Sequence, residues 1–176
     1  MKKYIFFASI LVLVIVGLVV SQAFKRLNVN LSGYEETPLA LSTTGSGEFN
    51  ARIIDESAIE YELSYSGLEG NVTQAHIHVG SPAQSGGISA WLCGNSPPTS
   101  PPAGTQGCPS PPTTITGTIT AANIVGPAGQ GISAGQFEEL LRAMRNGATY
   151  VNVHSSLYPG GEIRSQIDIN DERRHH

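Results

Sequence analysis

The chain has 176 residues and a formal net charge of -4, with 10 lysines and arginines against 14 acidic residues. This length accommodates one ordinary globular domain with short appendages, and so few basic side chains exclude the dense positive patch that nucleic-acid binding requires. The charged fraction of 14% and the 20 glycines favour an all-β domain of the extracellular kind over a helical one.

The N-terminal segment, residues 1–23, is predicted to direct export. Lys2 and Lys3 precede an apolar stretch at 4–20, and the small residues at 21–23 offer a signal-peptidase site. Because the apolar stretch is longer than a usual signal-peptide core, an uncleaved membrane anchor is the alternative. In both cases the rest of the chain is expected outside the cytoplasm, secreted, periplasmic or anchored at the outer face of the membrane, and it contacts the membrane only through this segment.

Eight segments with period-two alternation, separated by Gly, Pro and Ser clusters, predict β-strands in the rest of the chain. They cover residues 27–31, 48–54, 58–65, 72–79, 88–92, 113–120, 150–154 and 162–169. This pattern predicts an all-β fold, an antiparallel Greek-key-like β-sandwich or barrel. The domain is expected to span residues 27–169, followed by a polar tail at 170–176.

One short helix is predicted near residues 134–145. Ser133 is the expected N-cap, with Gln136 three residues later and Gly147 past the end. We expect its apolar face to pack on the sheet. That face consists of Phe137, Leu140, Leu141 and Met144.

The two cysteines, Cys93 and Cys108, flank a proline-rich loop. In an oxidising compartment such a pair is expected to form one structural disulfide, worth about 3 kcal/mol in the chain-entropy model. A thiolate metal site is the alternative. Asn30 and Asn71 each begin a glycosylation sequon, a pattern that also arises by chance.

Three of the five histidines lie in predicted strands. His76 and His78 form an H-x-H pair, and since side chains alternate along a strand, both imidazoles face the same way. His154 lies with Asn152 on the polar face of another strand. If these strands are neighbours, three imidazoles converge with a fourth position open, a layout typical of reactive metal sites. The alternative is that each histidine is an ordinary polar strand residue.

The donor set indicates which metal to expect. Neutral imidazoles suit copper, zinc, iron and nickel, and copper binds such donors most tightly. Outside the cytoplasm we therefore expect copper, with zinc as the alternative. His175 and His176 are interpreted as part of the polar tail.

Three ordered motifs stand out along the chain. They are Leu31-Ser32-Gly33-Tyr34-Glu35-Glu36-Thr37-Pro38, Ala75-His76-Ile77-His78 with Gly80 and Pro82-Ala83, and Tyr150-Val151-Asn152-Val153-His154 followed by Pro159-Gly160-Gly161-Glu162-Ile163-Arg164-Ser165-Gln166. Together they resemble the CHRD family, the domain named after chordin, over about residues 27–169. The resemblance implies a β-sandwich or barrel-like domain of an exported protein.

The same resemblance has implications for the site. Microbial single-domain members look like mononuclear copper proteins, which implies His76, His78 and His154 as the copper ligands here. Family members often carry a histidine before Pro-Gly-Gly, where this chain has Tyr158. Tyr158 is therefore predicted to be an outer residue of the site, and this departure argues against a four-histidine site.

The arrangement is also similar to the copper half of copper–zinc superoxide dismutases, which implies a small anion or dioxygen species as the reactant. Arg164 is the candidate anion guide, and Glu162 and Asn152 are candidates for contacts to the ligating rings. In the alternative, Glu162 and Arg164 form a structural ion pair. The alternative function is a copper carrier or a non-catalytic extracellular binding or structural module.

Overall fold

The structure is a computed structural model that describes residues 25–54, 56–97 and 99–169. The predicted export segment at 1–23 and the polar tail at 170–176 lie outside the described residues. Within the described ranges, no helix is both long enough and apolar enough to cross a lipid bilayer.

Eight strands make up most of the fold. They are β1 (Arg26–Ser32), β2 (Ser46–Ile54), β3 (Ala58–Ser66), β4 (Val72–Val79), β5 (Ile88–Gly94), β6 (Thr113–Thr120), β7 (Thr149–Ser155) and β8 (Ile163–Ile167). Each predicted strand is present. The last one is shorter than the predicted 162–169, because the chain turns after β8 and Ile169 donates its backbone N–H to the Met144 carbonyl.

All strand pairs are antiparallel, and they form one sheet in the order β5-β4-β7-β8-β1-β2-β3-β6. The two end strands approach each other: Ala90 of β5 forms an isolated bridge with Ile124, just after β6. The Tyr61 hydroxyl on β3 also donates to the Leu92 carbonyl on β5 at 2.9 Å. The sheet is therefore a nearly closed barrel, which confirms the all-β antiparallel class and selects the barrel over the sandwich.

The barrel interior is filled by the apolar positions that alternation predicted. On β3, Ile59, Tyr61, Leu63 and Tyr65 are each at most 7% exposed. Their neighbours on β2 and β6 include Phe49, which is fully buried. Burying each such side chain contributes about 1.5–3 kcal/mol, so this interior is the main stabilising feature of the fold.

Strands β4, β7 and β8 are buried on both faces. One face belongs to the apolar core through residues such as Ile77 and Val151. The other face is polar and equally buried. It carries His76, His78, Asn152, His154, Arg164 and Gln166. Polar groups removed from water need internal partners or ligands, so this layer is where a functional site is expected.

The predicted helix is present as α1 (Phe137–Arg145), and its four predicted apolar residues are buried. It begins at Phe137 rather than near residue 134, and Gln136, not Ser133, occupies the N-cap. The reason is Gly135, whose φ of +85° lies outside the helical region. The Gln136 side chain instead accepts a hydrogen bond from the Ser133 backbone N–H at 2.6 Å.

The predicted disulfide joins Cys93 at the end of β5 to Cys108. The loop between them lies along the open seam of the barrel, where the Gln106 side-chain amide donates to the carbonyls of Leu92 and Thr116. This excludes a thiolate metal site at the pair. A disulfide is consistent with a domain that folds outside the cytoplasm.

Candidate metal centre

Three histidines come together on the polar face of β4 and β7. These strands are hydrogen-bonded neighbours in a register that places His78 opposite Tyr150 and His154 opposite Gln74. Because side chains alternate, His76 shares this face with the other two rings. Among the described residues, these three histidines form a group that could hold a metal ion, as the sequence predicted.

The ring distances fit one shared ion. The ligand nitrogens, one from each ring, all lie within 4.8 Å of one another, and His76 Nδ1 is 3.2 Å from His154 Nε2. Metal–nitrogen bonds of about 2.1 Å allow two ligands to be about 4.2 Å apart at most. In a tetrahedral site the ligand nitrogens are about 3.4 Å apart, so the widest pair would close by up to about 1.4 Å.

Two backbone carbonyls orient the rings. His78 Nδ1 donates to the Gly86 carbonyl at 3.0 Å, and His154 Nδ1 donates to the Pro159 carbonyl at 3.0 Å. A carbonyl can only accept, so Nδ1 carries the proton in both rings and Nε2 keeps its lone pair. Both rings are thus held in the tautomer that can bind a metal through Nε2.

The cluster also contains unsatisfied nitrogens. His76 Nε2 and His78 Nε2 are buried and have no hydrogen-bond partner within the described part of the chain. Buried polar atoms in folded proteins are nearly always paired. The cluster therefore contains two buried ring nitrogens whose hydrogen-bonding capacity the described residues leave unused.

Burial keeps the imidazoles neutral. The exposed fractions of His76, His78 and His154 are 0, 7 and 5%. Desolvation is the main cause that lowers the pKa of His76 to about 2 and that of His78 and His154 to about 4. Repulsion from neighbouring rings also lowers the pKa of His76 and His154, and the charge of Arg164 also lowers that of His78. Since metals bind the unprotonated ring, the cluster is ready for a metal at neutral pH.

An aromatic ring and a guanidinium lie next to His78. The Tyr150 ring is parallel to the imidazole, with centroids 4.8 Å apart and planes 4° apart. The Arg164 guanidinium carbon is 3.7 Å from the centroid of the Tyr150 ring, and Arg164 is only 2% exposed. Tyr150 thus separates the predicted anion guide from the imidazoles. Sequence alternation already placed Tyr150 on this face, but it gave no sign of the stacking.

Trp91 lies against the opposite side of the cluster. It is on β5 directly opposite His76, and the two rings meet edge to face at 4.2 Å between centroids. Local sequence gives no sign of this contact, because nothing local shows that β5 pairs with β4.

The carboxylate predicted to contact an imidazole lies elsewhere. Glu162 is fully buried, and its Oε1 accepts hydrogen bonds from the Thr43 hydroxyl at 2.8 Å and the Glu69 backbone N–H at 2.6 Å. Backbone carbonyls, and not this carboxylate, orient His78 and His154. Nor does Glu162 pair with Arg164 in the described ion pairs.

Tyr158 contributes to the site through the turn that follows β7. Its carbonyl accepts from the Ser155 and Gly161 backbone N–H groups, while its hydroxyl donates to Glu69 at 3.0 Å. This turn holds the Pro159 carbonyl against His154. Tyr158 is therefore linked to His154 only through this turn, and among the described residues its side chain shows no contact with the imidazoles.

Asn152 leads to a residue that sequence reasoning missed. Its amide donates to the Glu36 carboxylate at 3.4 Å, and Glu36 is only 7% exposed. Desolvation raises the pKa of Glu36 to about 7, against smaller lowering effects of Asn152 and Arg164. A carboxyl that titrates near neutral pH thus contacts Asn152. Asn152 itself lies directly opposite His76 in the β4–β7 register. Glu36 lies outside the eight strands, so alternation gave no signal for it.

Comparison with known proteins assigns the family. A model of the CHRD domain matches residues 27–167. The chain belongs to the CHRD family. The match includes the three histidines and both cysteines of this CHRD domain, and it confirms the resemblance seen in the three motifs. No curated protein and no solved structure matches the chain.

Proposed function

We propose that this chain is an exported mononuclear copper protein whose three-histidine centre reacts with superoxide. The observation that carries the proposal is the buried cluster of His76, His78 and His154, with two ring nitrogens that have no partner among the described residues. The disulfide and the apolar segment at 4–20 support an extracytoplasmic location, secreted, periplasmic or anchored at the outer face of the membrane.

The donor set fits copper. Three neutral nitrogen donors suit copper and zinc, whereas magnesium, calcium and manganese favour oxygen donors. Of copper and zinc, copper binds such donors more tightly. Zinc is the alternative that the same rings would accept. The three ligands leave room in the coordination sphere for a small molecule.

The residues of this chain hold the rings and keep them unprotonated. Gly86 and Pro159 fix the orientation of His78 and His154 through their carbonyls, and burial excludes bulk water from the cluster. Bound copper would supply one-electron exchange between its two oxidation states. In the proposed reaction two superoxide anions and two protons give dioxygen and hydrogen peroxide, so one anion is oxidised and the other is reduced.

Arg164 acts in this proposal through its electric field. Its guanidinium is covered on one side by Tyr150 and donates to Thr37 and Gln166. A buried positive charge still raises the potential at nearby sites and attracts a small anion. Direct contact between Arg164 and the reactant is not part of the proposal.

The test measures copper binding in the full chain with His175→Ala and His176→Ala, so that the tail does not bind metal. We expect one copper per chain and nitrogen hyperfine structure in the EPR spectrum. His78→Ala should lose both, whereas Gln74→Ala, on the same strand, should keep both. Superoxide consumption by the copper-loaded protein then tests the reaction.

The outcomes separate the alternatives. Copper binding without superoxide consumption would leave a copper carrier. Equal copper content in His78→Ala and the parent would overturn the proposed centre, and the domain would then be a non-catalytic binding or structural module in which the histidines contribute to stability.

A further inference from the structure

We infer that Tyr150 is a positioning residue of the candidate centre, which fixes the ring of His78 so that its Nε2 points into the histidine cluster. This inference rests on the proposed function, because it assigns Tyr150 a role toward a metal that the three rings would bind. Tyr150 would not be a ligand. It would act on the metal only through His78.

The stacking geometry is the first observation. The planes of Tyr150 and His78 differ by 4°, whereas His78 meets His76 at 82° and His154 at 45°. Tyr150 is directly opposite His78 in the β4–β7 register, so the stack is set by the backbone pairing itself. A parallel neighbour prevents rotation of the imidazole about χ2, since any rotation would drive its edge into the phenol ring.

The second observation is that Tyr150 and His78 share one anchor. His78 Nδ1 donates to the Gly86 carbonyl at 3.0 Å, and the Gly86 backbone N–H donates to Tyr150 Oη at 3.0 Å. Tyr150 thus fixes Gly86, and the Gly86 carbonyl in turn fixes the His78 imidazole. Gly86 approaches β4 so closely that an added Cβ would lie 1.7 Å from the Val79 carbonyl oxygen, so only glycine fits at this anchor.

The third observation is that a guanidinium covers the far face of the Tyr150 phenol ring. The Arg164 guanidinium carbon lies 3.7 Å from the Tyr150 ring centroid, and its nitrogens donate to Thr37 and Gln166. The phenol is therefore held between an imidazole and a guanidinium that is itself anchored. Cation–π attraction of this kind stabilises the ring in place.

The ring and the hydroxyl of Tyr150 therefore have different roles. The ring prevents rotation of His78, and the hydroxyl holds the Gly86 carbonyl in line with Nδ1. Tyr150→Phe should therefore keep the first constraint and lose the second, whereas Tyr150→Leu should lose both. Tyr65→Phe is the matched control, because Tyr65 is an equally buried tyrosine on β3 whose hydroxyl donates to the Pro109 carbonyl.

The first measurement is NMR of the His78 ring in the metal-free full chain. We expect the parent to show the Nδ1–H tautomer and an upfield shift of the ring protons from the stacked phenol. Tyr150→Phe should keep the upfield shift and lose the single tautomer, and Tyr150→Leu should lose both. A His78 spectrum that is as unchanged in both variants as in Tyr65→Phe would overturn the inference.

The second measurement is copper binding and EPR of the same variants. Loss of groups that orient a ligand typically lowers metal affinity about 10- to 100-fold, so we expect that loss and altered nitrogen hyperfine structure in Tyr150→Leu, with a smaller change in Tyr150→Phe. Copper binding that is unchanged in both variants would overturn the inference alone. No copper binding in the parent would overturn the proposed function, and with it the role of Tyr150 at a metal. If Tyr150→Leu does not fold, Tyr150→Phe decides by the same criteria.

Discussion

Trp91 and His76 pack edge to face, with ring centroids 4.2 Å apart and ring planes at 86°. Gly94 lies against both the indole and the proline-rich loop, since a Cβ on Gly94 would lie 2.8 Å from both the Trp91 ring and Pro101. Trp91 is also the only tryptophan of the chain. The protein therefore carries one natural fluorophore in contact with a proposed copper ligand.

Copper binding should quench the fluorescence of Trp91. A paramagnetic, redox-active ion within a few ångströms of an indole removes its excited state efficiently, whereas zinc has a filled d shell and no redox chemistry. We expect quenching by more than about half at one equivalent of copper, little quenching by zinc, and none by copper in His78→Ala. Quenching of equal size in His78→Ala would place the bound copper elsewhere.

Copper affinity should change little between pH 7.5 and 5.5. Burial lowers the pKa of His78 and His154 to about 4 and that of His76 to about 2, so the rings carry no proton that copper must displace in this range. Three exposed histidines with an ordinary pKa near 6.5 would lose affinity by several hundredfold or more over the same range.

The measurement is a copper titration followed by Trp91 emission in a non-coordinating buffer at four pH values. The chain should lack the tail histidines, since exposed rings would add the steep dependence. A Kd that changes by less than about threefold agrees with the burial of the cluster. A steep loss of affinity near pH 6.5 would contradict it.

The positions of the histidines on their strands could be predicted because the signal is local. The H-x-H spacing and the period of a strand place His76 and His78 on one face whatever the rest of the chain does. Pairing of β4 with β7 was an assumption, since the two strands lie more than 60 residues apart along the chain. The family resemblance supported it where periodicity could not.

The surroundings of the rings could not be predicted, because they depend on which elements become neighbours in the fold. Trp91 reaches His76 only because β5 pairs with β4, and Glu36 reaches Asn152 from a segment outside the strands. Arg164 was correctly placed on the polar face, but local sequence does not show that Tyr150 would lie between it and His78. Contacts that depend on which elements become neighbours leave no local pattern.

The buried carboxyl of Glu36 should make stability fall as pH rises. Its pKa is about 7 in the folded protein against an ordinary 4.5, so between these values the folded state binds more protons than the unfolded state. The free energy of unfolding therefore decreases as the pH rises from 4.5 through 7, and the full penalty, on the order of 3 kcal/mol, is present above about pH 8.

Glu36→Gln removes this penalty and keeps the shape of the side chain. We expect it to raise the free energy of unfolding by about 3 kcal/mol at pH 8 and to have a much smaller effect at pH 5, measured by urea unfolding. Glu62→Gln on the exposed face of β3 is the control for the substitution itself. Equal destabilisation by Glu36→Gln at both pH values would show that the carboxylate is needed in its charged form.

Loss of the disulfide should weaken both the fold and the copper site. Cys93 is two residues from Trp91 on β5, and the bridge closes a loop with a sequence separation of 15 that includes Pro101. Replacing both cysteines with serine removes about 3 kcal/mol of stability in the chain-entropy model. It also frees the loop that packs on Gly94 beside Trp91, so we expect red-shifted Trp91 emission and a weaker copper Kd.

Measuring the copper Kd well below the unfolding temperature separates the two effects, because the folded state then remains fully populated. Pro101→Ala, with the disulfide intact, is the matched variant: it removes the pyrrolidine ring from the part of the loop that packs on Gly94 and should reproduce part of the emission shift with little loss of stability. If the double serine variant is less stable but binds copper as tightly as the parent, the loop stabilises the barrel only, and His76 is oriented by its strand and by His154 alone.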